Sequence, residues 1–104
     1  LDKIINIDER KAGDSRFDVA IVGGGIVGLS IGWKLAKRGF SVGIFERDRI
    51  GSGATRAATG MLAATAEVEP GEDDLLPLTL ASQGLWPDFA RELEAETGLS
   101  VDYK

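Results

Sequence analysis

Seven residues of this chain have types and spacing suited to chemistry: the run Gly23-Gly24-Gly25-Ile26-Val27-Gly28 and one acid downstream, Glu46. The run fits G-x-G-x-x-G. Alone that pattern is weak, because any glycine-rich loop can match it. It gains meaning where it leaves a strand and opens a helix. In that setting Gly23 permits the tight turn, Gly25 lets the main chain touch a pyrophosphate, and Gly28 lets helix and strand pack closely. The helix N-terminus adds unpaired N–H groups and a partial positive charge for phosphates. Glu46 stands 18 residues after Gly28, near the spacing of an acid that accepts hydrogen bonds from a ribose. A carboxylate there also repels a 2′-phosphate, which disfavours NADP. The plainer readings are a structural turn for the glycines and a solvated strand-end acid for Glu46.

The elements that must hold these residues are legible around them. Residues 17–22, Phe-Asp-Val-Ala-Ile-Val, form a short apolar, β-branched run of the kind found in buried parallel strands. Ile26–Arg38 carries helical periodicity, with Ile26, Leu29, Trp33 and Ala36 spaced for one face. Lys37 and Arg38 suit the last turn, and Gly39 suits the position just after it. A second strand is predicted over Ser41–Glu46. Strand, helix and strand within about 30 residues make a βαβ unit, with a right-handed crossover expected.

Beyond it, Gly51-Ser52-Gly53 opens a stretch of Ala, Thr and Gly, with a short helix expected around Thr55–Gly60. Small side chains let a backbone approach a flat partner closely. Glu67, Glu69, Glu72, Asp73 and Asp74 make an acidic, solvated loop with Pro70-Gly71 as a turn. Residues 73–97 are predicted to be helical, with Pro77 in the first turn, Pro87 kinking the helix, and Gly98 ending it. Residues 99–104 alternate like the start of a strand. Residues 1–16 read as a polar extension whose one apolar patch, Ile4-Ile5-Asn6-Ile7, carries little weight.

Composition narrows the function. The chain has 104 residues, 12 Lys+Arg against 17 Asp+Glu, and a net charge of −5. That acidity argues against nucleic acid, which needs a basic face. With no cysteine and no histidine, disulfides, a thiolate nucleophile and the commonest metal ligands and general base are excluded. No metal site is expected. No run approaches the roughly 18 apolar residues of a membrane span, and the default location is cytoplasmic.

Phe17–Asp48 resembles the N-terminal FAD fingerprint of the D-amino-acid oxidase-like flavoproteins. Leu35-Ala36-Lys37-Arg38-Gly39 and Glu46-Arg47 match that pattern. Ala54-Thr55-Arg56-Ala57-Ala58-Thr59-Gly60-Met61-Leu62 is similar to the Ala-rich Gly-Met-Leu segment of the glycine oxidase, thiamine-pathway branch. Ala66-Glu67, Ser82-Gln83, Leu85-Trp86, Glu92-Leu93 and Thr97-Gly98 are similar to that branch too. The resemblance implies an α/β, Rossmann-like βαβ FAD-binding domain. Residues 17–104 would be its N-terminal part, with the substrate domain absent. It implies that Gly23, Gly24, Gly25, Ile26, Val27 and Gly28 cradle the FAD pyrophosphate. It places Glu46 on the ribose and Arg47 near the adenine. Thr55, Arg56, Ala57 and Ala58 would run along the pyrophosphate and flavin, with Gly60, Met61 and Leu62 nearest the ring. A tight Ala/Gly helix contact is the other reading of Thr55–Leu62, and a solvated or salt-bridged side chain the other reading of Arg56. Trp33, Trp86 and Phe89 read as core.

The implied activity is oxidation of an amine or amino acid at its C–N bond, giving imine, oxoacid, ammonia and hydrogen peroxide. The residues that would grip the substrate lie outside this chain, so no catalytic residue is assigned. Two strands leave sheet edges open, and further residues or another chain are expected to complete the sheet. Leu1 is not an initiator methionine, in keeping with a processed or cut chain. The alternatives are a non-catalytic dinucleotide-binding module or one piece of a split flavoenzyme. An NAD-dependent dehydrogenase fragment is disfavoured by the stretch 51–66.

Overall fold

A computed structural model describes the backbone of Ile4–Ile5, residues 16–66 and residues 68–103. Most of the 1–16 extension, Glu67 of the acidic loop and Lys104 lie outside the described residues. The chain divides into two compact units, Leu1–Thr59 and Gly60–Lys104.

The first unit contains strands β1 (Ile4–Ile5), β2 (Val19–Val22) and β3 (Val42–Phe45), and helices α1 (Ile26–Lys37) and α2 (Ala54–Ala57). The sheet is parallel, in the order β1-β3-β2. The register runs from Val19 opposite Val42 to Val22 opposite Phe45. The β2–α1–β3 arrangement is the βαβ unit that the sequence predicts. Ile4–Ile5 adds a short edge strand, Ile4 opposite Val42, where the sequence pattern carried little weight.

The core of this unit is small and explains the glycines. Val42, Gly43 and Ile44 are buried on β3. A side chain at Gly43 would run into the Phe17 ring, which meets Phe45 edge-on with centroids 6.0 Å apart. On α1, Gly32 and Trp33 are buried. A Cβ on Gly32 would sit 3.0 Å from Ile44 Cδ1 and 3.4 Å from Ile21 Cδ1. Gly28 and Gly32, four residues apart, thus form a bare track on which the helix rides close to β2 and β3. The ammonium groups of Lys34 and Lys37 lie 4.6 and 5.2 Å from the Trp33 ring centroid. Ile26, expected on the buried face, is half exposed instead, because the first residue of α1 lies at the open end of the sheet. Gly39, at φ +92°, follows the C-cap Arg38 as predicted. At the other end of the strands, Asp18 Oδ2 accepts from Ser41 N–H at 2.7 Å, and Asp18 N–H donates back to Ser41 Oγ at 3.0 Å.

In the second unit, α3 (Leu76–Thr97) is a 22-residue helix with Pro in its first turn and Pro87 inside it. Pro87 has no N–H for the Gln83 carbonyl, the origin of a kink. The helix begins later than residue 73 because 69–75 are tied in turns, Glu72 N–H to Glu69 O and Leu75 N–H to Glu72 O. Gly98, at φ +69°, closes it with an N–H to the Glu94 carbonyl at 2.8 Å. Trp86 and Phe89 are half-buried and in edge-on contact, centroids 5.2 Å apart. Residues 99–103 do not form the strand that their alternation suggested. Glu94 Oε1 draws the segment back by accepting from Val101 N–H at 2.8 Å and Ser100 Oγ at 3.2 Å.

Candidate functional site

The C-terminal ends of β2 and β3 open into a cleft of about 730 Å³. Its lining includes Gly23, Gly24, Gly25, Glu46, Arg47 and Thr55, all in the first unit. Ligands of open parallel sheets bind beyond the carboxyl ends of the strands, so the topology places this cleft where a ligand belongs.

The glycine turn is built by its neighbours. Gly23, at φ +104°, donates its N–H to the Phe45 carbonyl at 2.8 Å, tying the end of β2 to β3. Gly24 is buried, donates its N–H to Glu46 Oε2 at 2.7 Å, and accepts from Gly51 N–H at 2.9 Å. Gly25 is the N-cap of α1 and offers no side-chain cap. Ile26 N–H donates to Thr55 Oγ1 at 2.8 Å. A Cβ on Gly28 would overlap the Gly23 carbonyl oxygen, the close approach that its place in the pattern requires. The N–H groups of Gly25, Val27 and Gly28 find no acceptor among the described residues. Helix N-termini with free N–H groups attract anions.

Glu46 is oriented by two backbone donors, Gly24 N–H on Oε2 and Asp48 N–H on Oε1 at 3.1 Å. These bonds, Gly24 first, hold its carboxyl below the ordinary value of 4.5, with the Arg47 guanidinium adding a smaller pull. The acid therefore stays ionised at neutral pH and keeps lone pairs free for hydroxyl donors.

The remaining predicted positions fall in different places. Arg56, Ala57 and Ala58 are exposed on or beside α2 and are not part of the cleft lining. Gly60, Met61 and Leu62 belong to the second unit. There Gly60 takes φ +78°, Met61 is exposed, and the Leu62 carbonyl accepts from Gln83 Nε2 at 3.3 Å. Two links escaped the sequence pattern. Gly24, expected to cradle the pyrophosphate, gives its N–H to Glu46, and Gly51 N–H closes the downstream loop onto the Gly24 carbonyl. The signal for Gly51 was its place in Gly51-Ser52-Gly53.

The chemistry of the donor set fits an adenine dinucleotide. Free helix-terminal N–H groups suit a pyrophosphate, a bare turn admits it closely, and a fixed carboxylate suits a ribose. Fold and cleft together define a dinucleotide-binding βαβ unit. Comparison with known proteins narrows the class. Residues 18–104 match the family described as FAD dependent oxidoreductase, and the chain belongs to that family. FAD is the cofactor that membership implies. The chain is 50% identical over 86 residues to a glycine oxidase of Geobacillus kaustophilus, a match covering 83% of this chain and 22% of that protein. The crystal structure of glycine oxidase from Geobacillus kaustophilus superposes with a TM-score of 0.76, covering 82% of this chain and 23% of that one. Glycine oxidase from Bacillus cereus gives a TM-score of 0.75 at 36% identity, covering 86% of this chain and 24% of that one. The chain thus spans less than a quarter of the length of these relatives. Among the described residues no helix is long and apolar enough to cross a membrane, and no cluster of Asp and Glu could hold a metal ion.

Proposed function

We infer that these 104 residues are the N-terminal FAD-binding portion of a flavin-dependent oxidoreductase that oxidises the C–N bond of a small amino acid or amine, as glycine oxidases do. The observation that carries this is the 50% identity to a glycine oxidase, joined to a cleft whose donors and acid suit a dinucleotide. In this reading Gly25, Val27 and Gly28 offer N–H groups to the pyrophosphate. Glu46 accepts from the ribose, Arg47 borders the adenine, and the segment from Thr55 to Leu62 runs toward the flavin. Bound FAD supplies a two-electron acceptor. The amine substrate gives up a hydride and a proton, leaving an imine that water converts to an oxoacid and ammonia. Oxygen would take up the two electrons together with two protons and leave as hydrogen peroxide. The groups that hold the substrate come from residues outside these 104, as does the cover for the free edge of β2, where Val22 is 90% exposed.

The test has two stages. The chain is titrated with FAD and followed by flavin absorbance and fluorescence. The longer protein containing it is then assayed for peroxide with glycine, sarcosine and D-amino acids. Saturable FAD binding and amine-dependent peroxide are expected. FAD binding without peroxide from any amine would refute the oxidase reading and leave a dinucleotide-binding module.

A further inference from the structure

We propose that Thr55 is a positioning residue that caps α1 from outside the helix and so holds the 47–57 segment against the phosphate seat. The proposal rests on the dinucleotide reading of the cleft. Helices are usually capped by the side chain of the residue that precedes their first turn, a Ser, Thr, Asp or Asn. α1 has Gly25 there and no side-chain cap of its own. An acceptor arrives instead from a residue 29 positions downstream: Thr55 Oγ1 lies 2.8 Å from Ile26 N, the first N–H of the helix, and leaves those of Val27 and Gly28 free. The glycine and the threonine work as a pair: a Cβ on Gly25 would stand 3.1 Å from that same oxygen. One residue clears the space and the other fills it with an acceptor.

The segment needs such a tether. α2 is four residues long, and helices that short do not hold themselves in water. Its upstream loop is fixed by Gly51 N–H on the Gly24 carbonyl and Asp48 N–H on Glu46. Among these bonds Thr55 makes the one that reaches α1. Having accepted from Ile26, the hydroxyl keeps its own proton. It has no acceptor for that proton among the described residues, and it lines the cleft. An anionic oxygen resting on the free N–H groups beside it is the matching acceptor.

The 104-residue chain, with Thr55→Val and Thr55→Ser variants, is titrated with ADP and with adenosine, and amide exchange is followed at Ile26. Thr55→Val is expected to weaken ADP about tenfold, because the 47–57 segment loses the hydrogen bond that ties it to α1 beside the phosphate seat. It should leave adenosine within about twofold and speed exchange at Ile26. Thr55→Ser should restore all three. Equal ADP affinity in Thr55→Val and the parent chain overturns the proposal. So does a matching loss of ADP and adenosine, which marks general damage to the cleft, or a Thr55→Ser variant that behaves like Thr55→Val. Should Thr55→Val not fold, an unprotected Ile26 amide in the parent chain is by itself sufficient to overturn it. Failure of the parent chain to bind either FAD or ADP defeats the dinucleotide reading and this proposal with it. The other outcomes arise with parental binding intact and bear on Thr55 alone.

Discussion

Gly28→Ala is the sharpest test of how the helix and the glycine turn are fitted together. The added methyl would overlap the Gly23 carbonyl oxygen and approach Ile21 Cγ2 to 3.2 Å. Carbon–oxygen contacts settle near 3.3 Å or beyond, so α1 or the turn must shift by about 1 Å. Overpacking of this kind costs about 1–3 kcal/mol where neighbours can adjust. Here the neighbour is backbone and cannot rotate aside, so the upper end applies. Alanine regains up to about 1 kcal/mol of helix propensity, and less in the first turn. The net expectation is a loss of about 2–3 kcal/mol, roughly 30- to 150-fold in the folding equilibrium. Gly32→Ala is the control. Its methyl would meet only the ends of flexible side chains, Ile44 Cδ1 at 3.0 Å and Ile21 Cδ1 at 3.4 Å. With the full interior propensity gain, it should stay within about 1 kcal/mol of the parent. Urea unfolding followed by far-ultraviolet circular dichroism measures both, with an unchanged slope confirming that stability alone has moved. A Gly28→Ala chain as stable as the parent, or a Gly32→Ala chain that loses as much, would refute the close backbone fit.

Three further positions carry expectations that follow from the geometry. Glu46→Gln leaves one acceptor oxygen for two backbone donors and should weaken FAD about tenfold, measured by flavin fluorescence. Because the Glu46 carboxyl is held below its ordinary value of 4.5, its contribution to stability is present above that value. It is lost as pH falls through the lowered one, so Glu46→Gln should flatten this acid limb in a pH series of melts. Asp18→Ala removes the acceptor for Ser41 N–H and should cost about 1 kcal/mol in urea unfolding, with no change in the spectrum of bound FAD. Gly98→Ala places a side chain at φ +69° and should destabilise α3 by about 1–2 kcal/mol. Gly98→Asn should cost less, as seen by helicity on heating.

What could be read from the sequence follows from the range of the forces involved. The β2–α1–β3 unit and the end of α3 at Gly98 are encoded locally, by β-branched runs, helical spacing and glycines at turns. The glycine turn and Glu46 were legible because their spacing is set by one crossover. Gly32 was not, because its bareness answers to Ile44, twelve residues away on another element. Thr55 was expected at the site, but its bond to Ile26 was not legible for the same reason, since the two stand 29 residues apart on different elements. The alternation in 99–103 misled for a related reason. Period-two patterning makes a strand only where a neighbouring strand offers its hydrogen bonds, and there the Glu94 carboxylate takes them first. β1 went unread because two isoleucines in a charged segment carry no periodicity until β3 is present to pair with them.

The two tryptophans fall one to each compact unit, Trp33 on α1 and Trp86 on α3. Trp33 is buried, with the Lys34 and Lys37 ammonium groups near its ring, and Trp86 is half-buried beside Phe89. Nature has thus labelled each half with its own fluorophore. Replacing either tryptophan by phenylalanine leaves an intrinsic reporter of the other unit. A pair of such chains would show directly whether the βαβ half and the helical half melt as one cooperative body or in sequence.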